Sequence, residues 1–265
     1  MGNLGYLFYK NYYSLDTKEI NEFLKKSKID CNKMYDTKLK KMNEKIIGFK
    51  LNKKKENSDF FKYFELKTTY PGLLIGSGYV HETGSEDEFK LGFQFDYTTG
   101  LPIIPGSSIK GVLKNAFEHE AYIKELLGLK EYTKEDIKKI KKNIFEGYEY
   151  NEGNEKLLSI YKRDIFCDST ILYKIEESEK REKGIILNDD YVTPHGIDPL
   201  KNPVPIKFLK VVPNVVFGFK FLLNDFEYGK VKITADMKEK LFKTIILDLG
   251  LGAKTNIGYG QFKDI

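Results

Sequence analysis

Four glycines near the C-terminus restrict the fold more than any other feature of this sequence. They form two glycine–apolar–glycine pairs on either side of five residues: Gly250, Gly252, Gly258 and Gly260. Because glycine has no Cβ, its backbone can take positive φ and approach a ligand closely, and its amides can converge on a phosphate. Between the pairs stand a charge, a hydroxyl and an amide: Lys254, Thr255 and Asn256. The segment predicts a contact with a nucleic-acid backbone, although a helix end and a turn would alone explain Gly250 and Gly252.

The cysteines and the hydropathy of the chain exclude several classes of protein. Among 265 residues, Cys31 and Cys167 are the two cysteines, and they have neither metal-site spacing nor the pattern of a disulfide framework. This usage predicts a protein of the reducing cytoplasm. The sequence has no signal peptide and no apolar run approaching the length of a membrane span. It predicts no metal and no cofactor.

Positive charge is concentrated at the N-terminal end. Residues 1–55 contain 14 lysines and six acidic residues, a local balance of +8, so the rest of the chain is near −3 within a net charge of +5. Such a segment is either a solvated face or a source of sequence-independent attraction to a polyanion. The sequence leaves both interpretations open.

Apolar periodicity divides the chain from residue 60 onward into strands and helices. The pattern predicts a strand at 60–69 with Phe60, Phe64 and Leu66 on one face, a helix opening near Ser107, strands at 164–172 and 215–223, a helix at 235–249 and a strand at 257–262. A further helix at 134–145 and a loop at 147–154 interrupt this series. The order is the βαββαβ order of an α+β, ferredoxin-like (RRM-like) core.

Long connections set the predicted domain boundaries. Residues 1–58 form a basic N-terminal extension and residues 59–265 the ferredoxin-like domain. Within that domain, residues 118–163 form a helical insertion and residues 173–205 an insertion between the two central strands. Long insertions in a compact domain are usually functional or disordered.

The run from Leu101 to Gly111, LPIIPGSSIKG, opens the clearest helix. Ser107 or Ser108 can cap this helix. The free amides of a helix start make a natural phosphate seat. Lys110 would add an ammonium group there, and Lys114, one turn further, would reach an adjacent phosphate.

Together, the glycine pairs, the LPIIPGSSIKG run and the element order resemble the RAMP superfamily of CRISPR–Cas proteins. The HETG run at 81–84 and the VTPH run at 192–195 look like the subfamily that supplies the sixth subunit of type III-B (Cmr) effector complexes. The resemblance covers residues 60–265. It implies a non-catalytic, guide-RNA-binding subunit of an antiviral defence complex.

The resemblance also implies partners and contacts. Such a subunit would cap the stack of backbone subunits near the 3′ part of the guide, with guide RNA, target RNA, the repeated backbone RAMP, a second terminal RAMP and the small subunit as partners. Its glycine segment would pack beside the helix start, and residues 173–205 would be a thumb that enters the guide–target duplex. The duplex contacts would come from Tyr191, Val192, Thr193, Pro194 and His195.

Two alternatives remain open from the sequence. One is an endoribonuclease in which His81 acts as general acid or base, although the sequence favours a structural role or an RNA contact for His81. The second is a scaffold subunit that mainly binds proteins. His119, flanked by two glutamates, is interpreted as solvated.

Overall fold

The structure is a computed structural model. It describes residues 3–14, 19, 21, 25–26, 28–51, 60–76, 83, 85, 87–151, 154–175, 184–193 and 205–265. Three residues with predicted roles, His81, Pro194 and His195, lie outside the described residues.

Helices and strands alternate along most of the described chain. The helices are α1 (Lys28–Ile47), α2 (Gly106–Ala116), α3 (Glu120–Leu127), α4 (Lys134–Glu146) and α5 (Ala235–Leu249). The strands are β1 (Lys62–Thr68), β2 (Ile103–Ile104), β3 (Tyr148–Asn151), β4 (Asn154–Leu157), β5 (Ile165–Phe166), β6 (Ser169–Lys174), β7 (Leu187–Val192), β8 (Ile206–Val211), β9 (Val215–Leu222), β10 (Phe226–Tyr228), β11 (Val231–Ile233) and β12 (Phe262–Lys263). A short helical turn, Leu4–Tyr6, continues as a π-helix over Leu7–Asn11.

A six-stranded antiparallel sheet forms the centre of the molecule. Its strands lie in the order β12-β1-β9-β6-β2, and β5 also pairs with β9. In β9, Phe217, Phe219 and Phe221 point to one face and are fully buried, as expected from the two-residue period of a strand. This mixed helix and strand architecture agrees with the α+β part of the predicted fold class.

Helix α5 covers the phenylalanine face of the sheet. Its buried residues include Leu241, Phe242 and Ile245, and the Phe242 ring centroid lies 5.3 Å from that of Phe221. The helix has the predicted bounds, because the Thr234 side chain accepts a hydrogen bond from the Met237 amide at its start and a glycine with positive φ follows its end.

Strands β7 and β8 pair with each other as a separate two-stranded unit, named here the thumb hairpin. Along the chain this hairpin comes between β6 and β9. They pair from Leu187 opposite Val211 to Val192 opposite Ile206. A bridge between Leu73 and Val211 joins the hairpin to the segment after β1. The pairing extends to Val211, beyond residue 205, where the predicted insertion ends.

The N-terminal residues are part of the main hydrophobic core. Leu4, Phe8 and Tyr12 are buried in the same cluster as the sheet residues, and the Tyr12 hydroxyl accepts a hydrogen bond from the Phe89 amide at 3.1 Å. Leu39 of α1 joins this cluster. The first 58 residues therefore include core residues as well as lysines.

Several predicted elements are wrong in detail. Phe60 lies outside β1 and is 88% exposed, and the predicted loop at 147–154 contains β3, which pairs with β4 as a hairpin that extends to Leu157. The strand predicted at 164–172 is divided into β5 and β6. The strand predicted at 257–262 is reduced to β12, because a 3₁₀ turn and two glycines with positive φ precede it. No helix in the described part of the chain is long and apolar enough to cross a membrane.

Candidate nucleic-acid interface

The helix start, defined as residues 105–108, has an exposed polar surface. Helix α2 begins at Gly106 with Pro105 at the N-cap, where no side chain caps it, so the predicted cap by Ser107 or Ser108 is wrong. Both serines instead lie in the first turn and are exposed. The Gly106 amide donates to Asp168 Oδ1 at 2.7 Å. One of the amides that was predicted to be free for a phosphate therefore already binds a carboxylate of the protein.

Both lysines of α2 have intramolecular partners. Lys110 Nζ lies 5.6 Å from the Phe166 ring centroid, within the range of a cation–π interaction. Lys114 Nζ lies 2.8 Å from Glu146 Oε1 of α4. Exposed ion pairs are weak, so Lys114 can exchange this partner for a phosphate at little cost.

The glycine loop, defined as residues 250–260, closes on itself. Its four glycines all have φ between 68° and 97°. The Leu251 amide donates to the Gly260 carbonyl at 2.9 Å, and the Gly260 amide donates to the Gly72 carbonyl at 2.8 Å. A Cβ on Gly260 would stand 1.8 Å from the Leu251 carbonyl oxygen, a separation that no side chain permits. The glycines therefore allow close packing of the loop against its own backbone and the segment after β1.

The tip of the glycine loop carries the polar residues. Lys254 adopts left-handed backbone geometry with φ 61°, and Thr255–Ile257 form a 3₁₀ turn behind it. Asn256 is exposed, whereas Lys254 and Thr255 are half-buried. A non-glycine residue in this region of φ is uncommon and costs conformational energy.

The helix start and the glycine loop are held by different parts of the fold: the Gly106 amide donates to Asp168, and the Ala253 amide donates to the Leu74 carbonyl. Helix α2 follows β2 at one edge of the sheet, and the glycine loop precedes β12 at the opposite edge. Hydrogen bonds from Ala253 to Leu74, from Gln94 to Ile75 and from Ile103 to Gln94 also connect the glycine loop to β2, so the strand order alone does not fix the distance between the two segments. The predicted single groove between the two segments therefore stays a prediction.

The glycine loop lies instead against the thumb hairpin. The Tyr259 hydroxyl donates to Asp190 Oδ2 at 2.7 Å, Lys210 Nζ lies 2.6 Å from the same oxygen, and the Tyr259 ring packs edge-on against Phe208. Burial alone would raise the pKa of Asp190, but the hydrogen bonds from Lys210 and Tyr259 outweigh it and hold this pKa below its ordinary value. The carboxylate thus joins the loop to the hairpin as a charged acceptor.

Tyr191, one of the predicted duplex contacts, is 58% exposed on β7. Lys207 Nζ lies 5.9 Å from its ring centroid and 3.2 Å from Asp189. Val192 is half-buried against the small cluster that contains Tyr259, and Thr193 is exposed. Pro194 and His195 cannot be compared with these positions, because they lie outside the described residues.

The sequence interpretation missed Asp168, Asp190 and Tyr259. Asp168 and Gly106 are 62 residues apart and Asp190 and Tyr259 are 69 apart, so no local pattern signals either contact. The position of Tyr259 between two glycines was the one available signal for its role. Among the described residues, no group of His, Cys, Asp and Glu side chains can hold a metal ion.

A family model describes the region that contains these elements. The model of the RAMP superfamily matches residues 65–263, well over half of the chain. The chain belongs to the RAMP superfamily. The match includes the helix start, the thumb hairpin and the glycine loop, and it begins after the N-terminal extension.

Individual relatives of this RAMP protein come from type III-B systems. The CRISPR system CMR subunit Cmr6 of Saccharolobus solfataricus is 26% identical over 255 residues, covering 93% of this chain and 74% of that protein. A chain in the cryo-EM structure of the type III-B Cmr-beta complex bound to cognate target RNA has the same fold, with a TM-score of 0.54, 24% identity and coverage of 97% of this chain and 84% of that one. Cmr6 from Pyrococcus furiosus matches with a TM-score of 0.33 and 20% identity, covering 79% of this chain and 100% of the other. The resemblance predicted from the sequence is thereby confirmed.

Proposed function

We propose that this RAMP protein is a non-catalytic, guide-RNA-binding subunit of a type III-B CRISPR effector complex. The observation that carries the proposal is the Cmr6 relative, which aligns with 93% of the chain. The subunit caps the backbone stack near the 3′ part of the guide and contacts the guide–target duplex. Its partners are guide RNA, target RNA, the repeated backbone RAMP, the second terminal RAMP and the small subunit.

The proposed core is ferredoxin-like. Strands β1, β6, β9 and β12 lie in the order β12-β1-β9-β6, and α2 and α5 occupy the two crossover positions along the chain. This is the arrangement expected of a βαββαβ domain. Helices α3 and α4 then belong to an insertion, and the thumb hairpin to a second one.

Two separate phosphate contacts follow from the positions of the polar residues. The helix start offers the hydroxyls of Ser107 and Ser108 beside Lys110, and the glycine-loop tip offers Lys254, Thr255 and Asn256. Since Asp168 holds the helix start and the segment after β1 holds the glycine loop, each group is proposed to contact its own phosphate. Contacts of this kind position a strand without reading its sequence.

The thumb hairpin is the proposed duplex wedge. The described part of the hairpin is held by the Leu73–Val211 bridge and by the Tyr259–Asp190 hydrogen bond, which together give a wedge a fixed support. An apolar or aromatic wedge can unstack a base step for a few kcal/mol. Exposed described residues near the last described pair of the hairpin, Val192 and Ile206, are Tyr191, Thr193 and Pro205.

A salt series on the full chain tests RNA binding. The affinity for single-stranded RNA should fall with a log–log slope of about −0.7 per phosphate neutralised. Lys254→Ala should weaken binding and reduce this slope, whereas Lys230→Ala, at an exposed position on the β10–β11 turn, should leave both unchanged. Equal effects of the two variants would remove the loop tip from the interface.

A cleavage assay and an assembly assay separate the alternatives. Guide and target RNA should stay intact with the full chain in the presence of Mg²⁺, Mn²⁺ or no metal. Cutting that disappears in His81→Ala would replace this proposal with the endoribonuclease. Assembly with the other Cmr subunits in the absence of any RNA affinity would favour the scaffold.

A further inference from the structure

The central sheet has a second face, on the side opposite the helices. The proposed contacts of the helix start, the glycine loop and the thumb hairpin do not use this face. In β1, Phe64 and Leu66 are buried beneath the helices, while the alternate side chains Tyr63, Glu65 and Lys67 point to the opposite face and are half-buried. These three side chains mark the face, named here the tyrosine face. Their positions follow directly from the two-residue period of the strand.

Two tyrosines on this face share one carboxylate. The Tyr63 hydroxyl donates to Glu65 Oε1 at 2.8 Å, and the Tyr173 hydroxyl of β6 donates to Glu65 Oε2 at 3.1 Å. Both rings are half-buried, so each keeps solvent-accessible surface while its hydroxyl is held. The shared carboxylate fixes the rings and lowers the entropy that a stacking ligand would otherwise have to remove.

A glycine in the central strand makes room for one of these rings. A Cβ on Gly218 would stand 2.9 Å from the Tyr63 hydroxyl oxygen and 3.0 Å from Tyr63 Cε2. The ring of Tyr63 therefore extends across β9, close to the sheet backbone. Beneath the two rings, Leu172 and Val216 form an almost fully buried apolar floor.

Lysines flank the tyrosines. Lys67 of β1 stands directly opposite Lys263 of β12, and Lys220 of β9 stands opposite Tyr63. Like charges directly opposite each other in an antiparallel pair destabilise the sheet. Among the described residues, neither Lys67 nor Lys263 forms an ion pair with a carboxylate. The pair of lysines does not stabilise the folded protein. It would stabilise an anion bound between the two ammonium groups.

We propose that the tyrosine face binds a single-stranded RNA segment, with bases stacked on Tyr63 and Tyr173 and a phosphate held between Lys67 and Lys263. Aromatic rings on a sheet beside cationic side chains are the recurring solution for unpaired nucleic acid. This surface is distinct from the phosphate contacts and the wedge proposed above. It rests on the proposed function only in that the ligand is RNA.

The absence of tryptophan from the chain makes stacking directly measurable. Tyr63→Trp introduces a single indole on the tyrosine face, and Tyr97→Trp introduces one at a position that is 99% exposed elsewhere. A uridine oligonucleotide of roughly 12 nucleotides, within the usual range of site sizes, should quench the fluorescence of Trp in the first variant and not in the second. The same oligonucleotide annealed to its complement should quench neither, because its bases are no longer free to stack.

Affinity measurements separate stacking from a structural role. Tyr63→Phe keeps the ring but loses the hydroxyl that Glu65 holds, so it should bind the oligonucleotide only slightly more weakly than the unmodified chain, whereas Tyr63→Leu should bind about tenfold more weakly. The double variant Lys67→Ala/Lys263→Ala should bind more weakly with a shallower salt dependence, yet unfold at an equal or higher midpoint because the like-charge contact is gone. A merely structural pair of lysines would not combine these two results.

The outcomes distinguish this proposal from the proposed function. The tyrosine face alone is overturned if the chain binds RNA but the indole at position 63 is not quenched, and if Tyr63→Leu and the double lysine variant bind with unchanged affinity. Quenching by a purified protein partner and not by RNA also overturns it, because the face would then be a protein-binding surface. Absence of any RNA binding by the full chain overturns both proposals.

Discussion

The glycine loop and the helix start differ in how they use their backbone amides. In the glycine loop, the amides of Leu251 and Gly260 donate to carbonyls of the loop and of the segment after β1. At the helix start, the Gly106 amide donates to a single exposed carboxylate, that of Asp168. The loop is thus a structural joint with a polar tip, and the helix start is an anion site whose anion the protein itself supplies. A glycine-rich motif and a helix start can therefore have opposite roles in one protein.

The largest expected effect tests whether the glycines of the loop are structural. Gly260→Ala should reduce the free energy of unfolding by about 3–5 kcal/mol, because the Cβ would overlap the Leu251 carbonyl oxygen. Chemical denaturation monitored by circular dichroism measures the loss.

Gly258→Ala is the matched control in the same loop. Its φ of 97° is also unfavourable for alanine, but a Cβ there would meet only Pro71 Cδ, at 3.4 Å. We expect a loss of about 1–2 kcal/mol from the backbone geometry alone. Equal losses for the two variants would show that close backbone packing is not what requires glycine at residue 260.

The next prediction concerns the joint between the loop and the thumb hairpin. Asp190→Asn removes the charge that accepts from Tyr259 and Lys210, and it should lower the free energy of unfolding at pH 7 by about 1–2 kcal/mol. Since the pKa of Asp190 is lower in the folded protein than in the unfolded chain, its contribution is present above about pH 4 and disappears as the pH falls further. Denaturation curves at several pH values should therefore converge for the two proteins in acid.

Tyr259→Phe provides the control for this joint. It removes the hydroxyl donor but keeps the ring that packs on Phe208. Hydrogen exchange of the β7 amides should become faster in both variants. Unchanged exchange in both would mean that the glycine loop does not hold the hairpin.

The accuracy of the sequence predictions depended on whether the deciding contacts were local. Helix α5 was predicted with its observed bounds, because its cap at Thr234 and its terminating Gly250 lie beside it in sequence. The cap by Ser107 or Ser108 was wrong since Pro105 takes the N-cap position. The last predicted strand failed because Gly258 and Gly260 adopt positive φ to pack against a distant segment.

The candidate site was predictable as a list of residues but not as an arrangement. The exposed serines and the polar loop tip are where the sequence placed them along the chain. Their surroundings depend on long-range contacts, since the Gly106 amide is held by Asp168 and the Ala253 amide by Leu74. Neither composition nor spacing contains that information.

A smaller effect is expected at the helix start. Asp168→Ala should cost about 0.5–1 kcal/mol of stability, because an exposed carboxylate is lost from the positive end of a helix. It should also strengthen RNA binding, since the Gly106 amide becomes available to a phosphate. Glu227→Ala, which removes the same charge at an exposed position on β10, is the control for net charge. If both variants gain equally in affinity, the helix start has no special role.

The smallest expected effect sharpens the contrast within the glycine loop between joint and tip. Lys254 holds φ 61° without being glycine, so the chain accepts conformational strain to keep a lysine there. Lys254→Gly should relieve this strain and raise the free energy of unfolding by about 0.5 kcal/mol, since glycine's greater freedom in the unfolded chain offsets part of the gain. The same variant should weaken RNA binding and reduce the salt slope by about 0.7. A gain in stability together with a loss of affinity is the signature of a residue kept for binding, whereas unchanged affinity would leave Lys254 as an unexplained departure from glycine.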